Sequence, residues 1–182
     1  MRKLSMEELH RKSVDEVKES DKNPVIAVLE NVRSAYNVGS VFRTADAFLI
    51  DSIIITGYTA TPQHKEITKT ALGAQDSVDW KYFKTTGEAI DQLKKEGFKI
   101  FAVEQVSDSI LLQHINDLSV EKVAFIFGNE VKGVEEETIS LCDGCVEIPQ
   151  FGMKHSLNIS VAAGIVVWEA VKNLQLADKN NF

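Results

Sequence analysis

Polar and charged side chains gather in three short segments of this chain, each following an apolar run. The first, "NVRSAYNVGSVFRTAD" (Asn31 to Asp46), sets Asn31, Arg33, Asn37 and Arg43 around Gly39, just after Val25–Leu29. Charge in that place does not pack a core. Gly39 lets a turn approach closely, and a helix opening there carries Arg43 near its start. Cations oppose the dipole at a helix N-terminus, so arginines kept there point to an anion-binding or catalytic site.

The second segment, "FGNEVKGVEEE" (Phe127 to Glu137), has the G-x-x-x-x-G spacing in Gly128 and Gly133. A phosphate-binding loop then needs Lys and Ser or Thr, and this chain has Val134 and Glu135. A glutamate run at the helix start would also repel phosphate. What remains is a glycine turn that holds Glu130 beside a strand end, with Glu135–Glu137 as favourable charge on the next helix. The third segment, "IPQFGMKHSLNISVAAG" (Ile148 to Gly164), ends a strand and enters a helix for which Ser156 is a good N-cap. Asn158, inside the first turn, is less easily explained by capping alone. His155 has no nucleophile motif beside it, so a hydrolytic triad is unsupported.

These segments need a scaffold that brings strand ends together. Strands are expected at Val25–Leu29, Ser52–Thr56, Trp80–Phe83, Lys99–Val103, Val123–Phe127 and Val146–Ile148. Helices are expected at Gly39–Leu49, Glu66–Leu72, Gly87–Glu96, Glu135–Leu141 and Ser156–Leu174. Continuous Val, Ile and Phe runs alternating with helices indicate an α/β fold, a mostly parallel sheet buried on both faces. Ligands bind such sheets beyond the carboxyl ends of the strands, where all three segments lie. Ser5 and Glu8 match a capping box, so a helix is expected from near Met6 to Glu19 with the stripe Met6, Leu9, Val14 and Val17. That makes 1–23 a helical appendage, 24–176 one domain and 177–182 a tail.

The 182 residues are 44% hydrophobic and 26% charged, ordinary for a globular domain. No apolar run reaches the roughly 20 residues of a membrane span, and the start lacks the apolar segment of a secretory signal. A cytoplasmic protein with no membrane partner is expected. "CDGC" (Cys142 to Cys145) reads as a turn with two half-buried side chains rather than a redox pair or half a zinc site. Nothing else in the sequence suggests a metal. The net charge of −7 argues against a strong general affinity for polyanions, although a local basic patch can coexist with it. "TPQHKEITK" (Thr61 to Lys69) is one of the few basic stretches.

Together, "LENVRSAYNVGSVFRTADAF", "FIFGNEVKGV" and "IPQFGMKHSLNISVAAGIVVWEA" resemble the three motifs of the SpoU (TrmH-like) branch of the SPOUT superfamily. That branch comprises RNA ribose 2′-O-methyltransferases that use S-adenosylmethionine. The likeness runs from Val25 to Leu174. It implies a catalytic site of Asn37, Arg43, Glu130, Ser156 and Asn158, with cofactor contacts at Gly128, Ile148 and Leu157. It also implies a homodimer, a tRNA or rRNA substrate, no metal, and a C-terminal segment threaded as a trefoil knot. Many members carry a separate RNA-binding domain, whereas Met1–Asn23 here hold equal numbers of acidic and basic residues. Arg33, Lys65 and Lys69 are therefore the candidate RNA contacts. The ribose hydroxyl is a poor acid, so Arg43 either takes its proton or stabilises the alkoxide as a cation. A catalytically silent RNA-binding protein and a small-molecule methyltransferase remain the alternatives.

Overall fold

A computed structural model describes residues 1–5, 8, 12–118 and 120–176. Among the described residues, seven strands form a single parallel sheet: β1 (Asn23–Glu30), β2 (Ile50–Thr56), β3 (Asp79–Phe83), β4 (Lys99–Val103), β5 (Ile110–Leu111), β6 (Val123–Phe127) and β7 (Gly144–Glu147). Their order is β3-β2-β1-β6-β4-β7-β5, and every pairing is parallel. The helices are α1 (Val14–Glu19), α2 (Ala35–Ala47), α3 (Lys65–Ala71), α4 (Ala74–Ser77), α5 (Thr86–Lys95), α6 (Glu136–Leu141) and α7 (Ile159–Leu176), with a 3₁₀ turn at Leu112–Leu118.

The period of two in the central strands divides the core between the sheet faces. Val25, Ala27 and Leu29 of β1 and Val123, Phe125 and Phe127 of β6 pack with α2, α3, α4 and α7. Ile26, Val28, Ala124 and Ile126 point the other way, against Ala89, Ile90 and Leu93 of α5 and Ile139 of α6. Both faces are thus covered by helices, as apolar strands without polar alternation require. Phe125 and Phe127 are fully buried, and truncating such a side chain to alanine costs about 3–5 kcal/mol.

Several expectations need correction. Helix α2 starts at Ala35, four residues before Gly39, because Ser34 caps it by accepting the Asn37 N–H. Arg43 therefore lies in the third turn, away from the helix start, and the dipole argument does not reach it. Gly39 serves helix packing rather than a turn: a Cβ there would collide with Thr70 and the Ile67 carbonyl of α3. Helix α7 starts at Ile159. Asn158 caps it, accepting the Ser160 N–H at 2.9 Å on its side chain and the Ala162 N–H at 2.9 Å on its carbonyl. Ser156 is an exposed loop residue and not the cap.

Strands β1, β2, β4 and β6 fall where expected, and β7 is shifted two residues earlier. Strand β5, helix α4 and the 3₁₀ turn were not anticipated. Only Lys65 onward of the basic Thr61–Lys69 stretch is helical, capped by His64. Met6 and Leu9 lie outside the described residues, as does the 177–182 tail. Of the rest of the expected stripe, Val17 is buried but Val14 is exposed. The Ser5–Glu8 box does form reciprocal bonds, and Ser13 with Glu16 forms a second that starts α1. Both cysteines are free. Burial, then the neighbouring Cys145, pushes the Cys142 thiol up to about 12, so it stays protonated at neutral pH.

Candidate active site

The order of strands reverses beside β1: the chain leaves it toward β2 and β3 and later returns to its other side with β6. Such a switch point opens a crevice at the carboxyl ends of the strands. The loops after β1 and β6 meet there. Asn31, in the left-handed region at φ 52°, accepts the Tyr58 N–H and donates to Glu135 at 2.8 Å. Its carbonyl accepts the Asn129 side chain at 2.9 Å. The Asn129 side-chain oxygen in turn accepts the Val131 and Lys132 N–H groups at 2.9 and 3.0 Å, which closes the glycine turn. Gly133 completes it with φ 71°, and a Cβ there would strike Glu104.

This turn presents Glu130. Its carboxylate accepts the Arg33 N–H at 2.9 Å, the Ser34 N–H at 3.0 Å and the Asn37 side chain at 3.0 Å. The first two donors flank the start of α2, where the dipole favours a negative charge. Burial raises the Glu130 pKa, but the bonds from Arg33, its own N–H, Asn37 and Ser34 outweigh it, and the group titrates below the usual 4.5. Asn37 passes the chain of bonds onward, accepting from the Asn158 side chain at 3.2 Å. Residues from all three sequence segments are thus joined: Arg33 and Asn37, Glu130, and Asn158.

Beside this chain lies a cavity of about 720 Å³ at the ends of β4, β6 and β7. Gly128, Glu130, Ile148, Ser156, Leu157 and Asn158 line it, together with the carboxylates of Glu104, Glu136 and Glu147. Glu104 braces the turn by accepting the Val134 N–H at 3.1 Å. Behind it Glu30, only 1% exposed, accepts the Glu135 N–H at 2.9 Å and the Thr138 hydroxyl at 2.5 Å, fixing the start of α6.

Six of the eight expected catalytic and cofactor residues therefore line the cavity, and Asn37 is bonded to two of them. Arg43 is not among the lining residues and is exposed on α2. Arg33 contributes its backbone to Glu130 while its side chain faces solvent. Lys65 and Lys69 lie on α3, where Lys69 Nζ stands 5.8 Å from the Tyr36 ring centre. Asn31 was noted in the sequence without a role, and Asn129, Glu104 and Glu30 went unremarked. A glutamate ending an apolar strand and an asparagine between glycine and glutamate were the available signals. Among the described residues, no cluster of three or more His, Cys, Asp or Glu is placed to hold a metal. No described helix is long and apolar enough to cross a membrane.

An uncharacterized tRNA/rRNA methyltransferase from Borreliella burgdorferi is 32% identical over 85% of this chain, which spans 66% of that protein's length. A tRNA (guanosine(18)-2′-O)-methyltransferase from Thermus thermophilus is 30% identical over 90% of this chain and 82% of its own. The crystal structure of an AdoMet-bound rRNA methyltransferase from Sinorhizobium meliloti matches with a TM-score of 0.77 at 27% identity, covering 87% of this chain and 60% of that one. Residues 24–168 match the model of the SpoU rRNA Methylase family. That range holds every bond between the three segments, and the chain belongs to this family.

Proposed function

We propose that this chain transfers a methyl group from S-adenosylmethionine to the ribose 2′-hydroxyl of a tRNA or rRNA nucleotide, and that it acts as a homodimer. The observation that carries the reading is the Glu130–Asn37–Asn158 bond chain beside the cavity. Three segments far apart in sequence converge on one spot, and all three lie within the residues that match the family model.

The cavity suits the cofactor. Its volume of about 720 Å³ falls within the roughly 300–1,000 Å³ of small-molecule sites. The uncharged Gly128, Ile148 and Leu157 can receive a neutral nucleoside through backbone and apolar contacts. Glu104, Glu136 and Glu147 in the same walls favour a cation over a triphosphate. When bound, the cofactor supplies an electrophilic methyl group on a positively charged sulfur.

The chain's own residues do the rest. Glu130 holds Asn37 and Asn37 holds Asn158, so two amides stand fixed at the cavity edge to orient a ribose. Ser156, also on the lining, offers a hydroxyl to the same sugar. Arg43 acts on the 2′-oxygen, as base or as charge. On the outer face of α2, Tyr36, Ser40, Arg43 and Ala47 recur at helical spacing. Helix α7 packs on α2 and exposes Val161, Ile165 and Trp168, the last 51% accessible. A second copy on this face covers that stripe and withdraws Arg43 from water, where its charge acts far more strongly.

Calorimetry and methyl transfer test the reading. The cofactor is expected to bind and ATP not to, and tritium from labelled cofactor should enter RNA. Tighter ATP binding would contradict it. Label entering only a metabolite extract would make the chain a small-molecule methyltransferase, and RNA binding without transfer a silent binding protein.

A further inference from the structure

The loop between β7 and α7 carries exposed apolar residues besides those that line the cavity. Gln150, His155, Ser156 and Leu157 turn toward the cavity. Between them the loop carries Phe151, 98% exposed, and Met153, 83% exposed. Nothing lies within 4 Å of where a Cβ on Gly152 would stand, so the segment projects into open space. Val131, on the glycine turn that also lines the cavity, is 75% exposed. Beside these apolar groups stand the exposed Lys132 and Lys154, and Glu130 next to Val131. In a chain of net charge −7, with Glu104, Glu130, Glu136 and Glu147 on the cavity lining, two exposed lysines stand beside the exposed apolar side chains.

We infer that Phe151 is the stacking platform for the base of the nucleotide to be methylated, with Lys132 and Lys154 on its flanking phosphates. The inference rests on the methyltransferase reading and adds how the substrate is gripped. A ribose presented to Asn37 and Asn158 leaves its own base one glycosidic bond away, outside the cavity. A base splayed from a single-stranded stretch needs a flat apolar partner, and aromatic rings supply it for any base. Lysines on either side match the phosphates that run past such a base. A second copy of this chain is a poorer occupant. The apolar stripe that suits it lies on α7, at Val161, Ile165 and Trp168, and lacks these cations.

Phe151→Ala, Phe151→Leu and Phe151→Trp, with the wild type, are assayed for transfer to a mixture of unmodified tRNA and rRNA transcripts. Cofactor affinity is read by calorimetry and oligomeric state by sedimentation. The Ala and Leu variants are expected to raise KM for RNA about ten- to a hundredfold, the scale of one stacked base. The Trp variant should stay near wild type, with cofactor affinity and sedimentation unchanged in all three. Normal KM in Phe151→Ala overturns the inference alone. So does a Leu variant as good as Trp, or a Phe151→Ala protein that falls apart into monomers or loses its cofactor. A wild type that methylates no RNA sinks the methyltransferase reading, and the inference with it.

Discussion

Asn37 and Arg43 share helix α2, six residues apart, and their surroundings are opposite. Asn37 is tied to Glu130 at 3.0 Å and to Asn158 at 3.2 Å, and its backbone is tied to the Ser34 cap. Arg43 stands exposed on the outer face. On the proposed reading, one helix thus carries a bonded half-site on its inner edge and an exposed one on its outer. Preorganised polar groups act without reorganising when charge develops, and the Asn37 side meets that condition within a single chain. In the proposed homodimer, a second copy covering α2 and α7 brings the Arg43 side to the same condition. The expected experiments press on that contrast.

The largest effect is expected at Arg43. Arg43→Ala should lower turnover about a hundred- to a thousandfold and leave cofactor affinity unchanged, since the cavity does not include it. Arg43→Lys separates the two roles: partial recovery means charge suffices, and none means the planar fork is required. A folded Arg43→Ala protein with normal turnover would remove the outer half-site.

Glu130→Gln should lower turnover about a hundredfold through misplacement of Asn37 and cost about 1 kcal/mol of stability, because an amide nitrogen cannot accept one of the two backbone N–H groups. Its effect and that of Asn37→Ala should not add, since the two residues are bonded. Acid titration sharpens the same point. The folded pKa of Glu130 is lowered from 4.5, so its contribution is complete above that value and fades as pH falls through the folded one. The wild type should therefore lose stability more steeply in acid than Glu130→Gln.

Ile165→Asp with Trp168→Asp should shift sedimentation from dimer to monomer and abolish transfer, with cofactor binding kept. An active monomer would show that Arg43 needs no partner. The smallest effect is expected from Lys65→Ala with Lys69→Ala, which should flatten the salt slope of RNA binding by about one to two.

The contrast also marks what the sequence could disclose. The strands were legible because β-branched runs such as "VIAVL" and "SIIIT" pair burial with extended backbone. The three segments were legible because polar residues after apolar runs have few uses in a sheet of this type. Two helix starts were misplaced for one reason. Gly39 was weighed as a turn residue and Ser156 as a cap, while Ser34 and Asn158 in fact cap the helices. Local preference gave several acceptors, and tertiary contacts chose among them. Glu30, Asn129 and Glu104 stayed hidden because their partners Thr138, Asn31 and Val134 lie far away in the chain. The threading that the family resemblance implies leaves no mark in residue periodicity at all.

The central claim is transfer to a ribose 2′-oxygen, and alkaline hydrolysis of the labelled RNA tests it most directly. Hydroxide cleaves RNA through attack by the 2′-hydroxyl, so a methyl group there protects the adjoining phosphodiester. The expected result is tritium in alkali-resistant dinucleotides from RNA treated with wild-type protein, greatly reduced with Arg43→Ala. Tritium released in mononucleotides would place the methyl group on a base and contradict the assignment.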